Sequence, residues 1–174
     1  LVSLEKVSNE RDIQLTDEEF KKLVEVAAAS KLICLADMIK FAALTAARYS
    51  EITGLLRQNV DFSKKTATFY DTKNTEDRTI PLHEGAIEIL KRYPFGEKFF
   101  VIKTRESFRH HWEKVRAKAG LKDFRFHDLR SFAANRMLLS GMSEIEVAAV
   151  GGWKTLAVLH RRYARIKARQ LIGK

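Results

Sequence analysis

Three residues of types that handle phosphate lie in the last third of the chain. His127 and Arg130 are three positions apart at the start of an apolar-periodic segment, a spacing that puts both side chains on one face of a helix. Both could then donate hydrogen bonds to one anion, the arginine as a planar fork and the histidine as a switchable donor. Tyr163 lies among basic residues with no acid nearby, which favours a position beside a phosphate. The pattern indicates chemistry on a phosphodiester.

Arg48 is an earlier cation whose surroundings set it apart. It is the only strong cation in LTAARYSEITGL, and Glu51 follows it at the i+3 position of a predicted helix. On a helix surface such a pair contributes only about 0.2–0.5 kcal/mol, so an ordinary surface ion pair fits the spacing equally well. Spacing alone leaves both interpretations open.

The charge of the whole chain favours a polyanionic partner. In 174 residues, 32 Lys and Arg stand against 22 Asp and Glu, which gives a formal net charge of +10. This balance also fits a ribosomal protein or one that binds a membrane surface. Its distribution is uneven, because positions 154–174 hold seven basic residues and no acidic one.

Cysteine usage and hydropathy exclude several classes of protein. Cys34 is the only cysteine, so the chain has neither an internal disulfide nor a cysteine metal cluster, and a buried thiol is expected. A reducing compartment, the cytoplasm, follows from the same observation. The sequence holds no signal peptide and no apolar run long enough to cross a bilayer.

Helical periodicity dominates the chain and must position these residues. Positions 1–14 are polar and aperiodic and are interpreted as a linker remnant, whereas 15–174 are interpreted as one domain. Thr16 and Glu19 form a predicted capping box ahead of the first helix. A second helix, 35–47, is apolar on most sides and should be central, and a short helix is expected around positions 50–56.

The sequence then predicts one small antiparallel sheet. Positions 66–71 alternate and are β-branched or aromatic, 73–77 supply turn residues, and 78–82 form the second strand of a hairpin with Lys73 at its tip. A helix over 83–93 follows, and then a short buried strand from Phe99 to Ile102. The predicted fold class is therefore mainly α with a small antiparallel β-sheet.

Further helical segments complete the prediction. Ser107 is the expected N-cap of one helix. Another covers positions 127–139, and the next begins at Ser143, where Glu146 completes a second capping box. The final helical segment carries Tyr163.

Four blocks of the sequence, in this order, resemble the catalytic domain of the tyrosine recombinases, also called phage integrases. They are TAARYSEITGL, TKNTEDRTIPL, FHDLRSFAANRML and GGWKTLAVLHRRYARI. The resemblance covers nearly the whole chain and implies the fold of that domain. Family members usually carry a helical N-terminal domain that closes the other half of a clamp around DNA. The chain is therefore expected to be the catalytic half alone.

The resemblance also implies which residues are catalytic. They are Arg48, Lys73, His127, Arg130, Trp153 and Tyr163. Glu51 matches an acidic position that steadies the arginine-bearing turn. Three basic neighbours are alternatives for the lysine of the hairpin, namely Lys64, Lys65 and Arg78.

These residue types suit cleavage of a DNA strand without a metal or a cofactor. Two guanidinium groups would neutralise the charge that develops on a five-coordinate phosphorus. Tyr163 would attack, His127 would accept or share its proton, and the hairpin lysine would protonate the leaving 5′ oxygen. The product implied by the resemblance is a covalent 3′-phosphotyrosine, which needs neither a metal nor ATP.

Site-specific recombination or integration of double-stranded DNA is thus the function that the resemblance implies. It further implies homo-tetramers on paired DNA sites, while a chain without DNA is compatible with a monomer. Two alternatives stay open. One is a type IB topoisomerase, which shares this chemistry but reseals the same strand, and the other is a catalytically inactive DNA-binding regulator of the same fold.

Overall fold

The computed structural model of the protein describes residues 15–70, 77–157 and 159–161. Its helices are α1 (Asp17–Ala28), α2 (Leu35–Thr45), α3 (Tyr49–Gly54), α4 (Glu84–Lys91), α5 (Arg105–Lys118), α6 (Asp128–Leu139) and α7 (Glu144–Gly151). Its strands are β1 (Val60–Asp61), β2 (Thr66–Phe69) and β3 (Arg78–Pro81), and a short 3₁₀ turn spans Arg57–Asn59. The predicted fold class, mainly α with a small antiparallel β-sheet, is confirmed.

Helix α2 lies at the centre of the fold because almost every side of it is apolar. Leu35, Met38, Ile39 and Phe41 are fully buried, and the helix packs against α1, α4 and α6. Its central position is the one predicted from its sequence. The predicted buried thiol is also confirmed, since Cys34 at the start of α2 is buried and its Sγ lies 3.8 Å from Met38 Sδ.

Both predicted capping boxes are confirmed. Thr16 Oγ1 accepts a hydrogen bond from the backbone N–H of Glu19 at 3.1 Å, and the Glu19 carboxylate accepts one from the Thr16 N–H at 2.8 Å. Ser143 and Glu146 make the same reciprocal pair at the start of α7. These side chains satisfy donors that the first turn of a helix otherwise leaves without partners.

The three strands form an antiparallel sheet in the order β1-β2-β3. Phe69 faces Arg78 across the β2–β3 ladder, and Thr66 faces Pro81, so the two strands form the predicted hairpin. β1 was not predicted, because its two residues are too few to show alternation. The tip of the hairpin, residues 71–76 with Lys73, lies outside the described residues.

The short strand predicted from Phe99 to Ile102 is wrong. Phe99 and Phe100 are buried, but among the described residues the segment pairs with no strand, and the nearest bridge joins the preceding residue, Lys98, to Leu56. Phe100 packs instead against the rings of Phe41 and Tyr93, with centroids 5.7 and 5.1 Å away. The apolar character of this segment therefore reflects packing in the core and not a place in the sheet.

The predicted N-cap at Ser107 is also wrong. The N-cap of α5 is Thr104, three residues earlier, and its side chain accepts a hydrogen bond from the Ser107 N–H at 3.0 Å. Thr104 and Ser107 are both residue types that can cap a helix. Thr104 is the N-cap because Arg105 and Glu106 are compatible with the first helical turn.

A smaller apolar cluster joins α6 and α7 to the segment that follows them. Ala134, Leu138, Val147, Ala148 and Leu159 are buried in it. Trp153, in the turn after α7, packs against this cluster. Within the described residues, no helix has the length and apolar character needed to cross a membrane.

Candidate active site

Arg48 is positioned by the turn between α2 and α3. Ala46 ends α2 in the left-handed region at φ 53°, and the chain then extends so that Arg48 occupies the N-cap position of α3. The backbone N–H of Arg48 donates to Glu51 Oε2 at 2.6 Å, and its Nη1 donates to Glu51 Oε1 at 2.7 Å. One carboxylate therefore fixes both the backbone and the side chain of this arginine.

Glu51 is a buried acid with a second arginine partner. It is 8% exposed, and both terminal nitrogens of Arg78 donate to its carboxylate, Nη2 at 2.9 Å. Burial alone would raise the pKa of Glu51, but the hydrogen bonds from Arg78 and Arg48 outweigh it and lower the pKa to about 2. Glu51 is thus an anion at neutral pH, and it is occupied in holding two cations in place.

Arg130 is a buried cation on the first turn of α6. It is 5% exposed, its Nη1 donates to the carbonyl oxygen of Ala46 at 2.7 Å, and its guanidinium carbon lies 4.0 Å from the ring centroid of Trp153. Burial, together with the positive charge of nearby Arg48, lowers the pKa of Arg130 to about 9. The side chain stays charged at neutral pH in a place that favours the arrival of an anion.

The two arginines converge on one acceptor. Arg48 Nη2 donates to the carbonyl oxygen of Gly152 at 3.0 Å, and Arg130 Nη2 approaches the same oxygen at 3.5 Å. A cleft of about 480 Å³ opens beside them, and its lining includes Trp153 and Lys154. A phosphate oxygen at the position of this carbonyl would meet donors from both guanidinium groups.

The turn after α7 depends on two glycines. Gly152 has φ 71°, and a Cβ there would lie 3.1 Å from the side chain of Arg78. A Cβ on Gly151 would lie 1.9 Å from the ring of Trp153. Larger residues at these positions would displace either the indole or the guanidinium, so the glycines allow both groups to approach the turn closely.

Trp153, predicted from the family pattern, lies against Arg130 and the smaller apolar cluster. Its ring supports the guanidinium from one side by a cation–π contact. The described part of the chain therefore brings together three of the predicted catalytic residues, Arg48, Arg130 and Trp153.

His127 lies close to this group in sequence but faces another cleft. It is exposed at the start of α6, one turn before Arg130, whose backbone N–H donates to the His127 carbonyl oxygen at 3.1 Å. Its side chain lines a larger cleft of about 890 Å³ together with Tyr49 and Arg105. Arg48 lines the smaller cleft, and Tyr49, the next residue along the chain, lines the larger one.

Lys73 and Tyr163, the predicted proton donor and nucleophile, lie outside the described residues. The last described residues before Tyr163 are helical, at 157 and 159–161. Their proposed roles stay predictions.

Arg78 is the residue at this site whose position the sequence did not reveal. Besides Glu51, it donates from Nε to the carbonyl oxygen of Val150 at 3.0 Å, and it lies over the ring of Phe69 at 4.9 Å. The sequence offered it only as an alternative to Lys73. A basic residue that opens a half-buried strand was the available signal, since such a position normally requires a nearby counter-charge.

Comparison with known proteins gives one family. The model of the phage integrase family matches residues 14–170. The shufflon-specific DNA recombinase of Escherichia coli is 31% identical over 176 residues, which cover 100% of this chain and 45% of that protein. The chain spans about half the length of the curated relatives that it matches.

Solved structures with the same fold agree with this match. The catalytic domain of bacteriophage HP1 integrase has a TM-score of 0.70 at 22% identity, over 87% of this chain and 86% of that one. The integrase of transposon Tn1549, in complex with a circular intermediate DNA, has a TM-score of 0.76 at 15% identity, over 94% of this chain and 67% of that one. At these identities the similarity concerns the fold.

Proposed function

The chain belongs to the phage integrase family, and from this premise we propose that it is the catalytic domain of a site-specific DNA recombinase. Tyr163 would attack a phosphodiester, form a covalent 3′-phosphotyrosine and release a 5′ hydroxyl. A 5′ hydroxyl of a partner strand would then attack the phosphotyrosine and restore the phosphodiester. The covalent intermediate conserves the bond energy, so rejoining requires neither ATP nor a metal ion.

The convergence of Arg48 and Arg130 on the Gly152 carbonyl oxygen carries this proposal. These two side chains come from different helices, and they direct donors to one point at 3.0 and 3.5 Å. A five-coordinate phosphorus carries extra charge on its non-bridging oxygens, and paired guanidinium donors match that charge. The carbonyl oxygen marks the point at which the donors of the two arginines converge.

The electrostatics of the site also favour an anion. Arg48, Arg78 and Arg130 form a group of three cations around the carboxylate of Glu51. The group therefore has an excess positive charge, most of it in buried surroundings. A bound phosphate would relieve both the mutual repulsion and the cost of burying Arg130.

The other roles follow from the chemistry of tyrosine as a nucleophile. The free pKa of tyrosine is about 10, so Tyr163 needs a cationic field and a group that takes its proton. His127 is proposed for that proton transfer and Lys73 for protonating the leaving 5′ oxygen. Trp153 would hold the Arg130 guanidinium and offer its indole N–H to the phosphate.

Double-stranded DNA is the proposed substrate. The net charge of +10 supports it, and the Tn1549 integrase of the same fold binds DNA in its own structure. A homo-tetramer on paired DNA sites, acting in the cytoplasm, is proposed as the working assembly.

Covalent trapping tests the proposal. The chain is incubated with a pool of nicked duplexes whose sequence is randomised around the nick, so that cleavage releases a short strand and leaves the protein on DNA. A covalent adduct on a denaturing gel is expected for the wild type and not for Tyr163→Phe. Tyr70→Phe is the matched control, since Tyr70 is 59% exposed and lies in the hairpin, and it should react like the wild type.

The outcomes separate the alternatives. If the wild type retains the DNA and forms no adduct, the chain is a DNA-binding regulator. If the adduct forms but its end is returned only to its own strand, even when a partner strand with a 5′ hydroxyl is supplied, the chain acts as a topoisomerase. Transfer to the partner strand supports recombination.

A further inference from the structure

Arg78 connects three elements around the two proposed catalytic arginines. It opens β3, it donates to Glu51 at the start of α3, and it donates to the Val150 carbonyl oxygen near the end of α7. From these contacts we infer that Arg78 is a positioning residue for strand cleavage, an inference that rests on the proposed function. It sets the geometry of Arg48 and of the turn at Gly152 without itself binding DNA.

Each nitrogen of the Arg78 guanidinium makes a hydrogen bond within the protein. Its Nε, Nη1 and Nη2 each donate to a protein oxygen, and its side chain is only 12% exposed. The ring of Phe69 covers one face of the guanidinium at 4.9 Å. A guanidinium is a poor proton donor for a leaving group because it holds its proton too tightly.

Glu51 transmits the position of Arg78 to Arg48. The same carboxylate accepts both terminal nitrogens of Arg78 and both the backbone and side-chain N–H groups of Arg48. Without Arg78, the carboxylate would lose two of these four hydrogen bonds and the constraint on its orientation. Arg48 would then lose the fixed partner that aims its Nη2 at the Gly152 oxygen.

Val150 transmits the position of Arg78 to the other side of the site. Its carbonyl oxygen lies two residues before Gly152, whose own carbonyl oxygen is where the two catalytic arginines meet. The side chain of Arg78 also lies directly over Gly152, where an added Cβ would be 3.1 Å away. Arg78 therefore contacts the turn at two points, the Val150 carbonyl oxygen and Gly152.

The hairpin is tied to the same guanidinium. Arg78 faces Phe69 in the β2–β3 register and stacks on its ring, so it contacts both strands at the base of the loop whose sequence includes Lys73. One side chain thus couples the base of the hairpin, the arginine-bearing helix and the turn after α7.

Two variants and a matched control test the inference. Arg78→Met keeps the length of the side chain but removes every donor, and Arg78→Lys keeps the charge but cannot make the forked contact. Arg57→Met is the control, because Arg57 also stacks on a phenylalanine, Phe99 at 4.6 Å, and binds three backbone carbonyls away from the site. All are compared with the wild type on one nicked duplex recovered from the trapping experiment.

The measurements are the single-turnover rate of adduct formation at saturating DNA, the Kd for DNA and the Tm. We expect Arg78→Met to react about 100-fold more slowly, because a displacement of about 1 Å in a catalytic group can cost that much. Its Kd should stay within about threefold of the wild type, since Arg78 makes no proposed DNA contact. Arg78→Lys should recover part of the rate, and Arg57→Met should react at close to the wild-type rate below its Tm.

The possible failures are distinguishable. If the wild type forms an adduct and Arg78→Met reacts as fast as Arg57→Met, the inference is overturned and the proposed function stands. The inference is also overturned if Arg78→Met loses DNA affinity in proportion to its rate, because Arg78 would then be a DNA ligand. If the wild type forms no adduct, the proposed function fails and the inference fails with it.

Discussion

The replacement of Glu51 by glutamine tests the ion-pair network most simply. At neutral pH the change removes the carboxylate that both Arg48 and Arg78 contact, while it keeps the size of the side chain. A fall of the carboxyl pKa from 4.5 to about 2 corresponds to roughly 3 kcal/mol of stabilisation. Breaking a buried pair by removing one partner costs about 3–5 kcal/mol in other proteins, which agrees in size.

The expected result at pH 7 is a destabilised protein. For a chain of this length, about 3 kcal/mol lowers the Tm by roughly 6–12 °C. Thermal and urea unfolding of the wild type and Glu51→Gln would measure it. Glu84→Gln is the control, because Glu84 forms an exposed ion pair with Lys65 at 2.7 Å and should show no measurable change.

The pH dependence of the unfolding free energy shows whether the charge of Glu51 causes the difference between the two proteins. Because the pKa of Glu51 is lower in the folded state, its contribution is fully present above pH 4.5 and is lost as the pH falls through about 2. The difference in unfolding free energy between the wild type and Glu51→Gln should therefore shrink steadily below pH 4.5. A difference that stays constant from pH 7 to pH 2.5, or no difference at all, would refute the assignment of Glu51 as a strongly paired anion.

Three further changes have defined outcomes. Arg130→Ala should lower the cleavage rate about 10²–10³-fold while most non-specific DNA binding persists. Arg136 is an exposed arginine of the same helix, and Arg136→Ala should leave both the cleavage rate and DNA binding unchanged. An equal loss of binding and cleavage in Arg130→Ala would contradict the proposed role. Gly151→Ala should lower the unfolding free energy by about 1–3 kcal/mol, because the added Cβ overlaps the ring of Trp153. Gly54→Ala is the control, since a Cβ there meets open space and should not destabilise the protein. Equal urea unfolding midpoints for the two variants would show that the turn tolerates a Cβ. DNA affinity should fall steeply with salt as phosphate contacts release counterions, and a Kd that hardly changes between 50 and 200 mM salt, about the range in which such proteins respond, would argue against a phosphate-binding face.

Local signals in the sequence predicted much of the fold. The capping boxes at Thr16 and Ser143 were correct because each depends on two residues three positions apart, which is information that the sequence holds in full. The central position of α2 was equally readable from its all-round apolar character. The strand expected at Phe99 failed, since burial alone cannot distinguish a strand from a packed loop.

Residues of the candidate site could be named from the sequence, but the contacts between them could not. Arg48, Arg130 and Trp153 were identified from the family pattern, and the structure brings them to one turn. The role of Arg78 depends on contacts with Glu51 and Val150, which are 27 and 72 positions away along the chain. No local pattern encodes such distances, so the residue could be named only as a basic neighbour of Lys73.

The most direct test of the central claim is a crystal structure of the chain with cleaved DNA and orthovanadate, which adopts the five-coordinate geometry of the attacked phosphorus. The expected result is a vanadate whose non-bridging oxygens lie within hydrogen-bond distance of both Arg48 and Arg130, with Tyr163 Oη as an apical ligand. A vanadate that contacts only one of these arginines, or that binds elsewhere on the protein, would contradict it.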